Sequence, residues 1–458
     1  MLKERILRIL SLSLLICSAF ILCAALGMLL KPEAFHKFFS PVQLVPDLVP
    51  PSLSRNYYWD VRSYAEMVLS NRCLAFYPLW PLLTRFLFNP QTLEQAAHAL
   101  LKFSTVIFFI SSPLLIGVFI KNLKEPKITT LILLAFSVSP MAIFRVIGYT
   151  ESLFTLLSVI FIWLCMRSTQ LNNKIQLALL FIVTFLLSLN RPILIQSLIA
   201  SIASLGTVIF FDNLKSPRER RDFLSQVNQY AQEIQMTVVL WISAILGFSA
   251  YGIYCLHSRG NFLAPFIDQK YWSTKTGLHL ELILFPKSPL FDLLGLYFPI
   301  LVLGISLFFV YYKVESENPL VWVPNSPIWN VLILYPPLLV ISYIVNYFRL
   351  KNKSANGKNY LTRLNTSDFT QTLSNNYIFW FCAYFSVVHC ALIFFTRDRL
   401  YSLGRHIFGI PFFFLALGYL CCCIPGKKTY QALWWFIIIS AIALVEQWVN
   451  YGQNKWLG

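Results

Sequence analysis

One polar stretch, residues 57–81, contains the residue types that acid–base chemistry at a membrane surface would need. It lies between two long apolar runs and includes Trp59 and Asp60, a carboxylate beside an indole. The run AFYPLWP at 75–81 follows as an aromatic and proline-rich collar. Because Trp and Tyr favour the headgroup level, we expect Asp60 just outside the hydrocarbon, where a carboxylate can act as a general base. A second interpretation makes Asp60 the N-cap of a helix over 61–69, and both roles can hold at once.

Three more charged residues interrupt apolar segments, and we expect them on the same side of the membrane as that carboxylate. Glu151 follows Tyr149 and a threonine where a span begins, and its alternative role is a first-turn carboxylate. Arg191 lies at the tip of an apolar hairpin over 175–211. An arginine at membrane depth is expensive and suggests function, although it could instead snorkel to the interface. Arg405 precedes a later apolar run.

The sequence predicts neither a metal site nor a cofactor site. It contains no C-x-x-C, H-x-x-x-H or D-x-D pattern, no phosphate-binding glycine loop and no nucleophile elbow. All but one of its ten cysteines fall in apolar segments, so we interpret the thiols as small buried hydrophobic groups.

Composition shows which kind of fold must position these residues. The chain has 458 residues, 57% of them hydrophobic and only 12% charged, whereas soluble domains carry about 25% charged residues. Apolar runs recur at span length, so we predict an all-α polytopic membrane protein with about 11–13 transmembrane helices. The net charge of +17 does not indicate nucleic acid, because the basic residues lie in short loops between spans.

The N-terminal half is predicted to contain the chemistry. Basic residues precede an apolar run over 9–30, which we interpret as an uncleaved first span with a cytoplasmic N-terminus. Residues 31–98 then form a long first extracytoplasmic loop, with short interfacial helices expected over 84–88 and 92–97. We divide the single membrane domain into a catalytic core over 1–211, a cytoplasmic loop over 212–236 and C-terminal transmembrane helices over 237–458.

Strict alternation of spans conflicts with the charge of the later loops. Spans are predicted near 290–312, 328–347, 377–395, 407–424 and 431–450. Alternation would put the basic loop around Lys351 outside and Arg405 inside, whereas the positive-inside rule places that loop in the cytoplasm. We give precedence to the charge rule and expect a re-entrant or missed segment over 257–327. Arg405 then lies on the outer face, opposite Lys427.

Five motifs carry a resemblance to a known family. They are Trp-Asp at 59–60, AFYPLWP at 75–81, SPMAIFRVIGYTESLF at 139–154, Asn-Arg-Pro at 190–192 and Arg-His at 405–406. Together they resemble the PIG-V family, which contains the second mannosyltransferase of GPI-anchor biosynthesis and many bacterial relatives. Those proteins are GT-C glycosyltransferases. The interval MVLSNRCL at 67–74 departs from the family pattern, because it lacks the Gly-Tyr and the Glu that usually stand there.

The resemblance implies a GT-C type helical bundle and a polyprenyl-phosphate sugar as donor, with a glycolipid or glycan as acceptor and membrane lipids as surroundings. It also implies that Asp60 is the catalytic base. The remaining motif residues are then expected to contact substrate: Trp59, Tyr77, Tyr149, Glu151, Arg191 and Arg405. Neither a metal nor a cofactor is implied.

Elementary chemistry favours the same function. An acceptor hydroxyl must lose a proton as it attacks an anomeric carbon, and a carboxylate base typically contributes about 10²–10⁴-fold. Arginine can stabilise the phosphate that leaves. We therefore expect a mannosyltransferase-like hexosyltransferase on the extracytoplasmic face of a bacterial inner membrane, or alternatively in the endoplasmic reticulum membrane. A lipid or solute transporter or flippase is the alternative, since it too would have broken helices and intramembrane arginines. A non-catalytic assembly subunit is the third class.

Overall fold

A computed structural model describes most of the chain. It covers residues 2–39, 60–70, 76–166, 171–215, 229–267, 277–279, 281–284, 290–316, 373, 376–397, 399–400, 402–424, 426–455 and 457. Within these residues the secondary structure is helical and contains no β-strand. The predicted all-α fold class is confirmed.

The described residues form seventeen α-helices. In chain order they are α1 (Leu2–Leu30), α2 (Pro32–Phe39), α3 (Asp60–Leu69), α4 (Leu79–Phe88), α5 (Leu93–Asn122), α6 (Pro126–Ser137), α7 (Glu151–Cys165), α8 (Asn173–Asn190), α9 (Leu194–Lys215), α10 (Ala231–Arg259), α11 (Ala264–Ile267), α12 (Glu281–Leu284), α13 (Leu290–Ser316), α14 (Tyr377–Thr396), α15 (Leu403–Phe408), α16 (Pro411–Cys423) and α17 (Lys427–Gly452). A 3₁₀ helix, Pro140–Arg145, lies between α6 and α7.

Eight helices in the described part of the chain are long and apolar enough to cross a membrane, namely α1, α5, α8, α9, α10, α13, α14 and α17. This confirms a polytopic membrane protein. Three shorter apolar helices, α6, α7 and α16, are mostly buried within the bundle. The predicted total of about 11–13 transmembrane helices depends in part on residues 317–372, which lie outside the described residues.

The first loop contributes three short helices, α2, α3 and α4, before the second span. The Thr92 hydroxyl accepts a hydrogen bond from the Gln95 amide at 3.2 Å, so it caps α5. The prediction of a separate helix over 92–97 is therefore wrong, because those residues form the start of a continuous span. The other predicted interfacial helix, over 84–88, is the last half of α4.

The first and last spans, α1 and α17, run parallel. Gly27 lies against the side chain of Trp448, and Lys37 Nζ donates to the Tyr451 carbonyl at 3.0 Å. Both helices therefore end at the same end of the bundle. We call this the site end, and the opposite end, where α17 begins at Lys427, the basic end.

The direction of α14 relates the later spans to the two ends of the bundle. The hydroxyls of Thr237 and Tyr377 lie 3.1 Å apart where α10 and α14 begin, so both helices run from the basic end to the site end. Consequently α10 ends and α13 begins at the site end. Residues 268–276, 280, 285–289 and 317–327 lie outside the described residues, so the extra segment expected over 257–327 stays a prediction. Arg405 does lie at the site end, in contact with Asp60.

Thiol labelling should distinguish the two ends of the bundle. Arg399 and Lys428 are exposed, the first near the site end and the second at the basic end. We expect an impermeant thiol reagent to label Arg399→Cys in intact cells, and Lys428→Cys only after the membrane is opened. The protein without an added cysteine is the control. Labelling of position 428 in intact cells, with position 399 protected, would reverse the orientation.

The cysteines are not all buried thiols. Eight of those in the described residues are free, and seven of these are buried, but Cys255 near the site end of α10 is disulfide-bonded. The prediction of free thiols throughout is therefore wrong for this residue. Cys73 is the one cysteine of the sequence outside the described residues. Peptide mapping without reductant should find Cys255 linked to Cys73; an alkylated Cys255 would contradict this.

Candidate functional site

Four charged side chains from distant parts of the chain meet at the site end. Arg405 Nη1 donates to Asp60 Oδ2 at 3.1 Å, and Arg405 Nε lies 3.0 Å from Glu151 Oε1. The same oxygen of Glu151 also pairs with Arg191 Nη2. All four side chains are buried. The expectation that these residues share one face is met, and they form one continuous ion-pair network.

Asp60 keeps one carboxylate oxygen uncommitted. It is the first residue of α3, and its amide donates to the Tyr149 hydroxyl at 3.4 Å. Its Oδ2 accepts from Arg405, while Oδ1 receives no hydrogen bond from the described residues. Among the described residues the Asp60 side chain bonds to Arg405, and no hydrogen bond from an α3 amide to it is seen. Burial raises the pKa of Asp60, and the charge of Arg405 opposes that rise.

Glu151 is held by the backbone turn that precedes α7. Gly148 has φ +92°, a conformation that favours glycine. Its carbonyl accepts from Trp80 Nε1 at 3.0 Å, and its amide donates to the Ser104 hydroxyl at 3.0 Å. The aromatic collar and α5 therefore fix the start of α7. Glu151 is fully buried, and its Oε2 has no hydrogen-bond partner among the described residues.

Arg145 supports the same turn, and the sequence analysis did not assign it a role. Its Nη2 donates to the carbonyls of Phe136 and Ser137, at 2.7 and 3.3 Å, at the end of α6. The guanidinium also lies over the Phe136 ring at 3.9 Å. A cation near the last carbonyls of a helix is favourable. Arg145 therefore fixes the 3₁₀ segment from which Glu151 follows.

Arg191 occupies the break between α8 and α9. Pro192 lacks an amide hydrogen, so the helix cannot continue through it. Arg191 Nε donates to the Thr150 hydroxyl at 3.1 Å, and the side chain is 8% exposed. It also lies over the Phe154 ring at 5.3 Å. Snorkelling to the interface is therefore the wrong interpretation of Arg191, which turns into the bundle toward Glu151.

His406 is a site residue that the predictions left out. Its Nδ1 lies 3.3 Å from Arg191 Nη1. Arginine can only donate, so Nδ1 accepts and the ring proton is on Nε2. Its ring also lies 5.0 Å from that of His389. The signal was present in the Arg-His motif, but only the arginine was assigned a role.

One predicted substrate contact, Tyr77, lies apart from this network. Tyr77 packs against the Tyr251 ring at 5.0 Å, and the Tyr251 hydroxyl donates to the Phe76 carbonyl at 2.6 Å. Tyr251 also lines an apolar cleft of about 200 Å³ beside α3, α4 and α8. The structure therefore places Tyr77 in the collar, away from the ion pairs. Trp59 lies outside the described residues.

The arrangement offers one available carboxylate oxygen beside fixed cations, which suits proton transfer next to a developing anion. Among the described residues, no group of three His, Cys, Asp or Glu side chains could hold a metal ion. Tyr149 completes the site, since the Arg405 guanidinium lies over its ring at 5.1 Å. The charges of the two carboxylates and two guanidinium groups balance.

Comparisons of the chain with family models, with curated proteins and with solved structures found no match. The resemblance carried by the five sequence motifs therefore stays a prediction. The function has to be inferred from the chemistry of the site and from its place at one end of a membrane-spanning helical bundle.

Proposed function

We propose that this protein is a membrane glycosyltransferase of the PIG-V type. It transfers a hexose from a polyprenyl-phosphate sugar to a lipid-linked or glycan acceptor. The observation that carries the proposal is the state of Asp60, in which Oδ2 is fixed by Arg405 and Oδ1 is left for a substrate hydroxyl. The five sequence motifs and the membrane-spanning bundle support the same function.

The proposed reaction is a single displacement. Asp60 Oδ1 takes the proton of the acceptor hydroxyl as the acceptor oxygen bonds to the anomeric carbon. The bond from that carbon to the phosphate oxygen breaks, and its electron pair leaves with the polyprenyl phosphate. Glu151 is less suited to the role of base, because it is completely buried and pairs with both arginines, whereas Asp60 pairs with Arg405 alone.

Arg405 is better placed than Arg191 to bind the departing phosphate. All three nitrogens of the Arg191 guanidinium already contact protein groups: Nε contacts Thr150, Nη1 contacts His406, and Nη2 contacts Glu151. In Arg405, Nη2 makes no hydrogen bond to the described residues. We therefore assign the phosphate contact to Arg405 Nη2, and to Arg191 the task of holding Glu151.

We place this chemistry on the extracytoplasmic face. Basic residues such as Lys121, Lys174 and Lys427 flank the spans at the basic end, as expected of a cytoplasmic face. The disulfide of Cys255 near the site end supports an oxidising compartment there. A bacterial inner membrane is the preferred location, and the endoplasmic reticulum membrane is the alternative.

Mass spectrometry of membrane glycolipids tests the proposal in cells. Cells that make the wild-type protein should contain a hexosylated lipid or glycan that is missing when the gene is deleted. Cells that make Asp60→Asn at the same level should lack it as well. A transporter or flippase would change where a lipid resides without forming a new glycosidic bond. Identical glycolipid profiles in all three strains would overturn the proposal.

A further inference from the structure

We propose that Asp292 is a positioning residue, which fixes α15 so that Arg405 can hold Asp60. This inference rests on the proposed function, because the role of Asp60 does. Asp292 lies in the first turn of α13, far from the other site residues in sequence. The structure assigns it a contact that links α13 to the site.

The contact is a hydrogen bond between the two elements. Asp292 Oδ1 accepts from the Gly404 amide at 2.7 Å, and Asp292 is completely buried. Gly404 directly precedes Arg405, so the bond acts one residue away from the guanidinium. Removing the acceptor would leave the buried Gly404 amide without this partner, which is unfavourable.

Helix α15 has no side-chain cap from the residue that precedes it. Ser402, which precedes it, has φ 65°, and its side chain makes no capping hydrogen bond. The two elements are also in backbone contact, since a Cβ on Gly404 would lie 3.0 Å from the Phe291 carbonyl oxygen. The start of α15 is therefore placed by the first turn of α13.

The burial of Asp292 has a free-energy cost that packing alone does not explain. Its Oδ2 has no hydrogen-bond partner among the described residues, and an incompletely paired buried carboxylate is unfavourable. We attribute the retention of this buried carboxylate to the constraint that it places on the position of Arg405. Arg405 contacts both Asp60 and Glu151 at about hydrogen-bond distance, so a small shift of α15 would disturb both contacts.

Three variants of the purified, full-length protein separate positioning from general packing. Asp292→Ala removes the acceptor, and we expect kcat to fall roughly 10²-fold, as for a misplacement of about 1 Å, with KM changed less than about threefold. Asp292→Asn keeps an acceptor oxygen and should remain within about threefold of wild type. Ser306→Ala is the control, because its hydroxyl bonds only within α13, to Val302.

Hydrogen exchange gives a readout that does not depend on activity. In Asp292→Ala, the amide of Gly404 should exchange roughly tenfold faster or more, whereas Asp292→Asn should protect it. If the wild type has no transferase activity but this pattern holds, the proposed function fails and the positioning contact stands. The inference is overturned if Asp292→Ala leaves both kcat and exchange unchanged. It is also overturned if Asp292→Asn behaves like Asp292→Ala.

Discussion

Replacing Asp60 by asparagine should lower the rate of sugar transfer at least about 10²-fold, because the acceptor hydroxyl loses its base. The side chain keeps its shape and can still accept a hydrogen bond from Arg405. Membrane insertion and elution as a single species in detergent should therefore be unchanged. The measurement is turnover per molecule of folded protein, with donor and acceptor at saturating concentration.

The same helix supplies a matched control for this variant. Glu66 lies in α3 and forms an exposed pair with Arg62 at 3.0 Å. Exposed pairs of this kind contribute little to stability, so Glu66→Gln should retain nearly full activity. If well-folded Asp60→Asn turned over at the rate of Glu66→Gln, Asp60 could not be the base.

The pH dependence of the reaction should show the raised pKa of Asp60. Burial raises this pKa, and the charge of Arg405 opposes the rise. A general base works only when it is deprotonated. Activity should therefore fall as the pH drops through the pKa of Asp60, which lies above the ordinary value for aspartate. The acidic limb should be missing from the residual activity of Asp60→Asn. The profile of kcat/KM against pH, recorded for the wild type and for Asp60→Asn, measures the acidic limb and its loss.

Replacing Glu151 by glutamine should be the most destabilising single change at the site. Glu151 is fully buried and pairs with both arginines, so its neutralisation leaves buried positive charge without compensation. Loss of one partner from a buried pair costs about 3–5 kcal/mol. Unfolding in detergent, followed by denaturant or temperature, measures the loss against Glu66→Gln.

A double variant tests whether that loss comes from charge. Combining Glu151→Gln with Arg191→Gln removes one positive charge as well, so part of the lost stability should return. Interaction energies of about 0.5–3 kcal/mol are usual for residues in contact. Strict additivity of the two single changes would mean that the pair is not coupled.

Apolar runs, prolines and isolated charges were enough to predict the spans and several of their breaks. The tip at Arg191 follows from Asn-Arg-Pro between two apolar segments, and the end of α6 follows from Pro140. The aromatic collar was also predicted, and Trp80 now shows what it does, since its indole holds the turn at Gly148. These features depend on residues that are close together in the sequence, so they can be predicted from local patterns.

The pairings at the site could not be predicted in the same way. Asp60 and Arg405 are 345 positions apart, and no periodic pattern links two such residues. The capping role of Asp292 was missed for the same reason, because a lone acidic residue at the start of a span looks like an ordinary first-turn carboxylate. Charge asymmetry predicted Arg405 on the same face as Asp60, and the two side chains do lie in contact.

Transfer by the purified protein in lipid nanodiscs tests the central claim most directly. The reaction would contain a synthetic polyprenyl-phosphate mannose and total lipids from the source membrane, and both products would be quantified by mass spectrometry. We predict that wild-type protein releases one polyprenyl phosphate for each new mannosyl lipid or glycan, and that Asp60→Asn releases neither above background. The account would be contradicted if folded, correctly oriented protein left the donor intact. That result would have to hold with every acceptor fraction and with donors that carry other hexoses.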